Sequence, residues 1–105
     1  MIRGVIDAGI CGKKTTVEAV EIGEFRVRLK IDSDCEIIAR IGKSLAEIDL
    51  RDAMKSQVDS VVYKQASKCG IHASCPVPMA ILKAMEVEVG MALARPVFVR
   101  FEAAE

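Results

Sequence analysis

The clearest hydrophobic pattern in the chain runs from Phe25 to Asp32. Phe25, Val27, Leu29 and Ile31 alternate with Arg26, Arg28, Lys30 and Asp32, the period of two expected of a strand with one buried face. The preceding stretch, Lys13 to Ile22, is rich in Thr and Val, and Gly23 supplies a turn. Together they predict a hairpin over residues 13–32. Pairing Val17 with Leu29, Ala19 with Val27 and Thr15 with Ile31 keeps one face apolar. Glu18 then meets Arg28 and Thr16 meets Lys30 on the other. A slip of one residue would set apolar side chains against the charged row, which a buried face forbids. The basic row Arg26, Arg28 and Lys30 therefore reads as a solvated face with Glu18 as partner.

Helical spacing follows. Ser33-x-x-Glu36 has the form of a capping box, with Asp34 also available as a cap. Ile38, Ile41, Leu45 and Ile48 then recur at helical intervals, with Gly42 a weak point. Asp49 starts a short element through Leu50, Ala53 and Met54, and Ser60 caps another through Val61, Val62 and Ala66, ending near Cys69-Gly70. The longest helix is expected over about residues 76–93, with Ile81, Leu82, Met85, Val89, Ala92 and Leu93 as its apolar stripe. Met79, Met85 and Met91 read as core filler. After Arg95-Pro96, Val97, Val99 and Phe101 alternate with Phe98, Arg100 and Glu102, a final strand. The order predicts an α+β fold: a small antiparallel sheet, made of the hairpin 13–32 plus edge strands 2–7 and 97–102, packed against several helices.

Length and composition narrow the class. At 105 residues there is room for a single domain over 1–105 and no second core. Fifteen Lys+Arg balance 15 Asp+Glu, which argues against nucleic acid as partner because such proteins carry a basic excess. An aromatic fraction of 4% without Trp leaves no stacking platform. No apolar run approaches the ~20 residues that span a bilayer, and Asp7 interrupts any leader-like start. A cytosolic (cytoplasmic) protein without membrane partners is expected. In that compartment four cysteines are thiols or metal ligands rather than disulfides.

Those cysteines carry the candidate chemistry. In the hairpin register above, Cys11 faces Cys35 at the open end, and both share the parity of the apolar face. Directly opposed Cβ atoms lie about 4.5–5.5 Å apart, close enough for two thiolates to share one tetrahedral ion. The other two sit in Cys69-Gly-Ile-His72-Ala-Ser-Cys75-Pro76, a Cys-x2-His-x2-Cys spacing that lets successive ligands turn about one point. Pro76 fits the first helical position, which makes Cys75 the expected N-cap. Cys35 falls in the first turn after Ser33 and Asp34. Unpaired N–H groups and the helix dipole favour thiolate at such ends. Gly9 and Gly12 flank Cys11 and let backbone N–H groups approach a bound anion or sulfur.

The motif order resembles two known families. Gly-Ile-Cys11-Gly before a hairpin, Asp34-Cys35 opening a helix and Ser74-Cys75-Pro76 opening a long helix resemble the TSCPD domain, although Ala73 and Val77 replace its Thr and Asp. That resemblance implies metal binding. More distantly, the order is similar to the NifU/IscU-like iron–sulfur scaffolds, whose three cysteines bind zinc or a nascent cluster. Cys11, Cys35 and Cys75 correspond to these, with Cys69 or His72 near a fourth ligand position. Lys13 stands where the scaffolds have Asp, and their Leu-Pro-Pro-Val-Lys motif is missing. The motif set also looks like a family of uncharacterised proteins of about this length from anaerobic prokaryotes.

Three functions follow as expectations. The first is a small metal or cluster carrier holding zinc or an iron–sulfur cluster through Cys11, Cys35, Cys75 and Cys69 or His72. The second is a thiol-redox protein in which Cys75 is the nucleophile, Cys69 or Cys35 its resolving partner and His72 a nearby base. The third is a homodimeric interaction module with inert cysteines and an exposed Val97–Phe101 edge. Conventional enzyme motifs are missing: there is no P-loop, dinucleotide fingerprint, Gly-x-Ser-x-Gly or His-Glu-x-x-His.

Overall fold

The computed structural model describes residues 1–104. Four strands, β1 (Ile2–Asp7), β2 (Lys14–Gly23), β3 (Arg26–Ser33) and β4 (Glu47–Asp49), form one antiparallel sheet in the order β1-β2-β3-β4. Helices α1 (Glu36–Ser44), α2 (Val61–Lys68) and α3 (Val77–Glu88), with a 3-10 turn at Leu50–Met54, cover one face. This is the expected α+β architecture. Period two explains it. Val17, Ala19, Val27 and Leu29 turn inward and join Ile38, Ile41, Val62, Ile81 and Met85 in one core. The opposite face is the charged one. Glu18 pairs with Lys30 across the hairpin and lies 3.6 Å from Arg3, while Arg26 and Arg28 reach Glu47 at 3.7 and 3.6 Å. The basic row is thus a solvated, carboxylate-paired surface.

The hairpin register differs from the expected one by a two-residue shift. Val17 pairs with Ile31, Ala19 with Leu29 and Thr15 with Ser33. A shift of two leaves every side chain on its own face, so the hydrophobic pattern alone cannot separate the two registers. The turn decides. Gly23 pairs with Arg26, leaving Glu24 and Phe25 as the loop, and Phe25 takes a left-handed conformation with φ 59° instead of starting the strand. That conformation is uncommon for a bulky residue and is braced from outside. The Phe25 carbonyl accepts the Leu50 N–H at 2.9 Å, and the Arg51 guanidinium sits 4.8 Å over its ring. Arg51 in turn donates from Nε to the Asp49 carboxylate at 2.9 Å, and that hydrogen bond holds the Asp49 carboxyl well below the usual carboxylate range.

Three further boundaries move. Helix α1 ends at Ser44, and the expected helical residue Ile48 lies in β4, a strand too short to leave a periodic signal. Cys35, not Ser33 or Asp34, is the N-cap of α1. Ser33 Oγ accepts the Cys35 N–H at 3.0 Å, and the Asp34 carboxylate accepts the Lys14 N–H at 3.3 Å. Helix α3 stops at Glu88, short of residue 93, because Gly90 adopts φ 81° and the Met91 N–H closes back on the Glu86 carbonyl at 2.8 Å. Its N-cap is Pro76 rather than Cys75. The expected edge strand 97–102 is not formed. Residues 91 and 92 bend back on the end of α3, residues 93–104 have no regular secondary structure, and no strand pairs with them.

Gly42 has a packing reason. A Cβ at this position would lie 3.0 Å from Ile31 Cβ and 3.5 Å from the Ile31 carbonyl oxygen, so α1 crosses β3 at glycine distance. Gly42→Val is expected to lower stability by about 2 kcal/mol through overpacking, measured by urea unfolding. An unchanged midpoint would contradict the close approach.

Candidate functional site

The loop between α2 and α3 carries most of the candidate chemistry. Ser60, nearly fully buried, caps α2 by accepting the Tyr63 N–H at 3.4 Å. The helix closes at Cys69, where Gly70 donates to the Ser67 carbonyl and Ile71 to the Ala66 carbonyl, both at 3.1 Å. A second turn, Cys75 N–H to the His72 carbonyl at 3.0 Å, leads into α3. Cys69 and Cys75, at the two ends of this loop, are half-buried against the core, whereas His72 is exposed.

A groove of about 430 Å³ opens beside this loop. Tyr63, Lys64, Ala66 and Ser67 of α2 form one wall, Ile71, His72, Ala73 and Cys75 of the loop another, and Gln57, Val58 and Pro78 complete it. Its size is that of a small-molecule site. Its open lining combines apolar surface with an amide, a phenol, an ammonium, a hydroxyl, an imidazole and a thiol.

The cysteines at the hairpin lie elsewhere. Cys11 sits exposed in the turn between β1 and β2, where Gly9 and Gly12 take φ 88° and 70° and the Gly12 N–H bonds the Gly9 carbonyl at 2.9 Å. The glycines that flank it make a turn and not a continuing strand. With Thr15 opposite Ser33, and the Asp34 N–H bonded to the Lys14 carbonyl at 3.0 Å, it is Lys13 that comes level with Cys35. Cys35 is half-buried at the start of α1. The structure therefore places His72 and Cys75 in one groove, with Cys69 on the same loop, and does not bring Cys11 and Cys35 into a shared set with them. Among the described residues, no group of three or more His, Cys, Asp and Glu side chains is gathered so as to hold a metal ion. All four cysteines are free thiols.

Sequence reasoning missed Tyr63, Lys64 and Ser67. The signal was present: once Ser60 fixes the start of α2, residues 63 and 67 stand one turn apart on a single face, directly before the Cys-x2-His-x2-Cys loop. It also missed Asp52, only 2% exposed, whose carboxylate accepts Ser60 Oγ–H at 2.7 Å and the Val61 N–H at 2.8 Å and so anchors the helix that walls the groove.

Fold and groove together define a small α+β protein with a thiol-bearing cleft at a helix–loop–helix junction. The chain belongs to DUF6951, a family of unknown function whose profile matches residues 2–101. That agrees with the expectation of an uncharacterised family of this length. The match is to neither the TSCPD domain nor the NifU/IscU-like scaffolds. No curated protein and no solved structure matches the chain. No helix among the described residues is long and apolar enough to cross a membrane.

Proposed function

We propose that the protein is a thiol-dependent binding protein that captures a small disulfide ligand in the α2–α3 groove through Cys75. The observation that carries this reading is that Cys75 and His72 line one groove with Tyr63, Lys64 and Ser67. In the exchange, the Cys75 sulfur attacks one sulfur of a ligand disulfide and the ligand S–S bond breaks. A Cys75–ligand disulfide forms, the second ligand sulfur leaves as thiolate, and His72 accepts the Cys75 proton. Lys64 favours an anionic ligand. A cytosolic setting suits this chemistry, because thiols stay reduced there.

The unaltered chain carries its own control, since Cys11 is an exposed loop thiol. With an anionic aryl disulfide at low ionic strength, Cys75 is expected to label faster than Cys11 although Lys13 and Lys14 stand beside the latter, because the groove holds the reagent against Tyr63, Lys64 and Ser67 as well. Lys64→Glu removes the advantage. Peptide mass spectrometry reads each site separately, and slower labelling at Cys75 than at Cys11 sinks the proposal.

A second reading, a carrier of zinc or an iron–sulfur cluster, draws on the spacing of Cys69, His72 and Cys75 in one loop and requires their side chains to draw together around the ion. It predicts about one metal equivalent per chain after anaerobic purification. Metal far below that value ends it.

A further inference from the structure

The C-terminal segment has the pattern of a strand and nothing to pair with. Val97 is 53% exposed, Phe98 86%, Val99 76% and Phe101 91%, a run of large apolar side chains that soluble monomers seldom leave open. At the other end of the chain, β1 is the edge of the sheet, with its outer backbone groups unpaired, the kind of template that recruits another strand. We infer that the two features complete each other between two copies of this chain, residues 98–103 of one adding as a fifth strand to β1 of the other.

Direction and register follow from faces and charges. Ile2, Gly4 and Ile6 are the half-buried, helix-side residues of β1, and Arg3, Val5 and Asp7 face outward. An incoming strand must put Val99 and Phe101 on the helix side. Antiparallel pairing of Phe101 with Gly4 does this. It sets Val99 beside Ile6 and Ala103 beside Ile2, and it places Glu102 opposite Arg3 with Arg100 diagonal to Asp7. Oppositely charged cross-strand pairs are favourable, and an aromatic ring laid across an edge glycine fills the space its missing side chain leaves. Of the two neighbouring antiparallel registers, one opposes Arg100 to Arg3, and the other carries Val99 past the end of β1 to Ala8 and leaves Gly4 beside Ala103. A fully overlapping parallel strand opposes Glu102 to Asp7.

The antiparallel solution also selects a second copy as donor. The Glu88 carboxylate at the end of α3 accepts the Glu21 N–H at 2.9 Å and lies 3.4 Å from the Met1 amino group. The tail therefore leaves beside the start of β1, and a tail that turns directly onto its own sheet enters parallel, whereas an antiparallel return would spend residues 89–97 crossing the whole length of β1 before turning. The antiparallel strand enters from the Asp7 end, about 20 Å away at the rise of a strand. A tail from a copy related by a two-fold axis arrives there, and the same axis returns the exchange. The 50 Å long axis of the molecule, against 29 and 24 Å for the others, agrees with a tail held away from its own core.

Sedimentation equilibrium of the full chain over a wide concentration range tests the exchange. A dimer is expected, with the amides of 98–103 protected from hydrogen exchange in step with dimerisation. Phe101→Asp, at a position outside the core, gives a folded monomer. Arg3→Glu raises the dimer dissociation constant roughly fivefold, and adding Glu102→Arg restores it. A wild-type monomer at every concentration, a dimer that survives Phe101→Asp, or failure of the charge swap to rescue overturns the proposal.

Discussion

Asp52→Ala is expected to lower the unfolding free energy by about 3–4 kcal/mol. The carboxylate is 2% exposed and serves several donors at once. Oδ2 accepts Ser60 Oγ–H at 2.7 Å and the Val62 N–H at 3.4 Å, Oδ1 accepts the Val61 N–H at 2.8 Å, and Lys55 Nζ stands 3.7 Å away. Val61 and Val62 open α2, so Asp52 satisfies N–H groups that a helix start leaves without partners, and it does so with a charge of the favourable sign for the dipole. Alanine strands these donors and the nearly buried Ser60 hydroxyl together. Each such loss costs about 1–3 kcal/mol, more where a charged partner is removed. Asp52→Asn keeps an acceptor but presents an amide where donors converge, and about half the loss is expected. Urea unfolding of both variants measures this, and a loss below about 1 kcal/mol for alanine would refute the anchoring role. The consequence reaches the groove, because α2 supplies Tyr63, Lys64 and Ser67 to its wall.

How far the sequence foretold this arrangement depends on what each signal could encode. Strict alternation through Val27, Leu29 and Ile31 assigns a face, and that face is inward as expected, with Ile31 only half-buried at its end. Alternation has no memory of register beyond its period, however. The choice between registers fell to a turn braced by Arg51 and Leu50, residues distant in sequence from Phe25. In this register Lys13, and not Cys11, comes level with Cys35, and Cys11 lies in the turn beyond. Local capping chemistry was readable where one residue suffices: Ser60 and Asp49 both accept N–H groups at the element starts assigned to them. Asp52 was not, because its partners lie on the next element. The alternation at 97–102 reads as an edge strand that the chain does not form, because a pattern does not name its neighbour. The loop from Cys69 to Cys75 was found from spacing alone, while the groove beside it required the packing of α2 on α3.

Ile81→Ala is expected to cost about 3–4 kcal/mol, with Ile81→Val near 1 kcal/mol. Ile81 has no exposed surface and lies in the middle of α3, the helix that packs on β1, β2, α2 and the 3-10 turn. Walls contributed by so many elements cannot collapse onto a vacated site without moving one another, so the cavity term adds nearly in full to the lost burial. Leu82, its half-buried neighbour, loses less on the same truncation. The variant also separates local from global chemistry at the cysteines. Domains of this kind hold only about 5–15 kcal/mol in reserve, so a loss of this size raises the unfolded population a hundredfold or more at about 1.4 kcal/mol per decade. Labelling of half-buried Cys35, where it proceeds through global opening, rises in proportion. Labelling of Cys75, if it occurs in the folded groove, barely changes. Equal acceleration at both thiols would mean that Cys75 reacts only when the helices part, and the groove would then have no part in its chemistry.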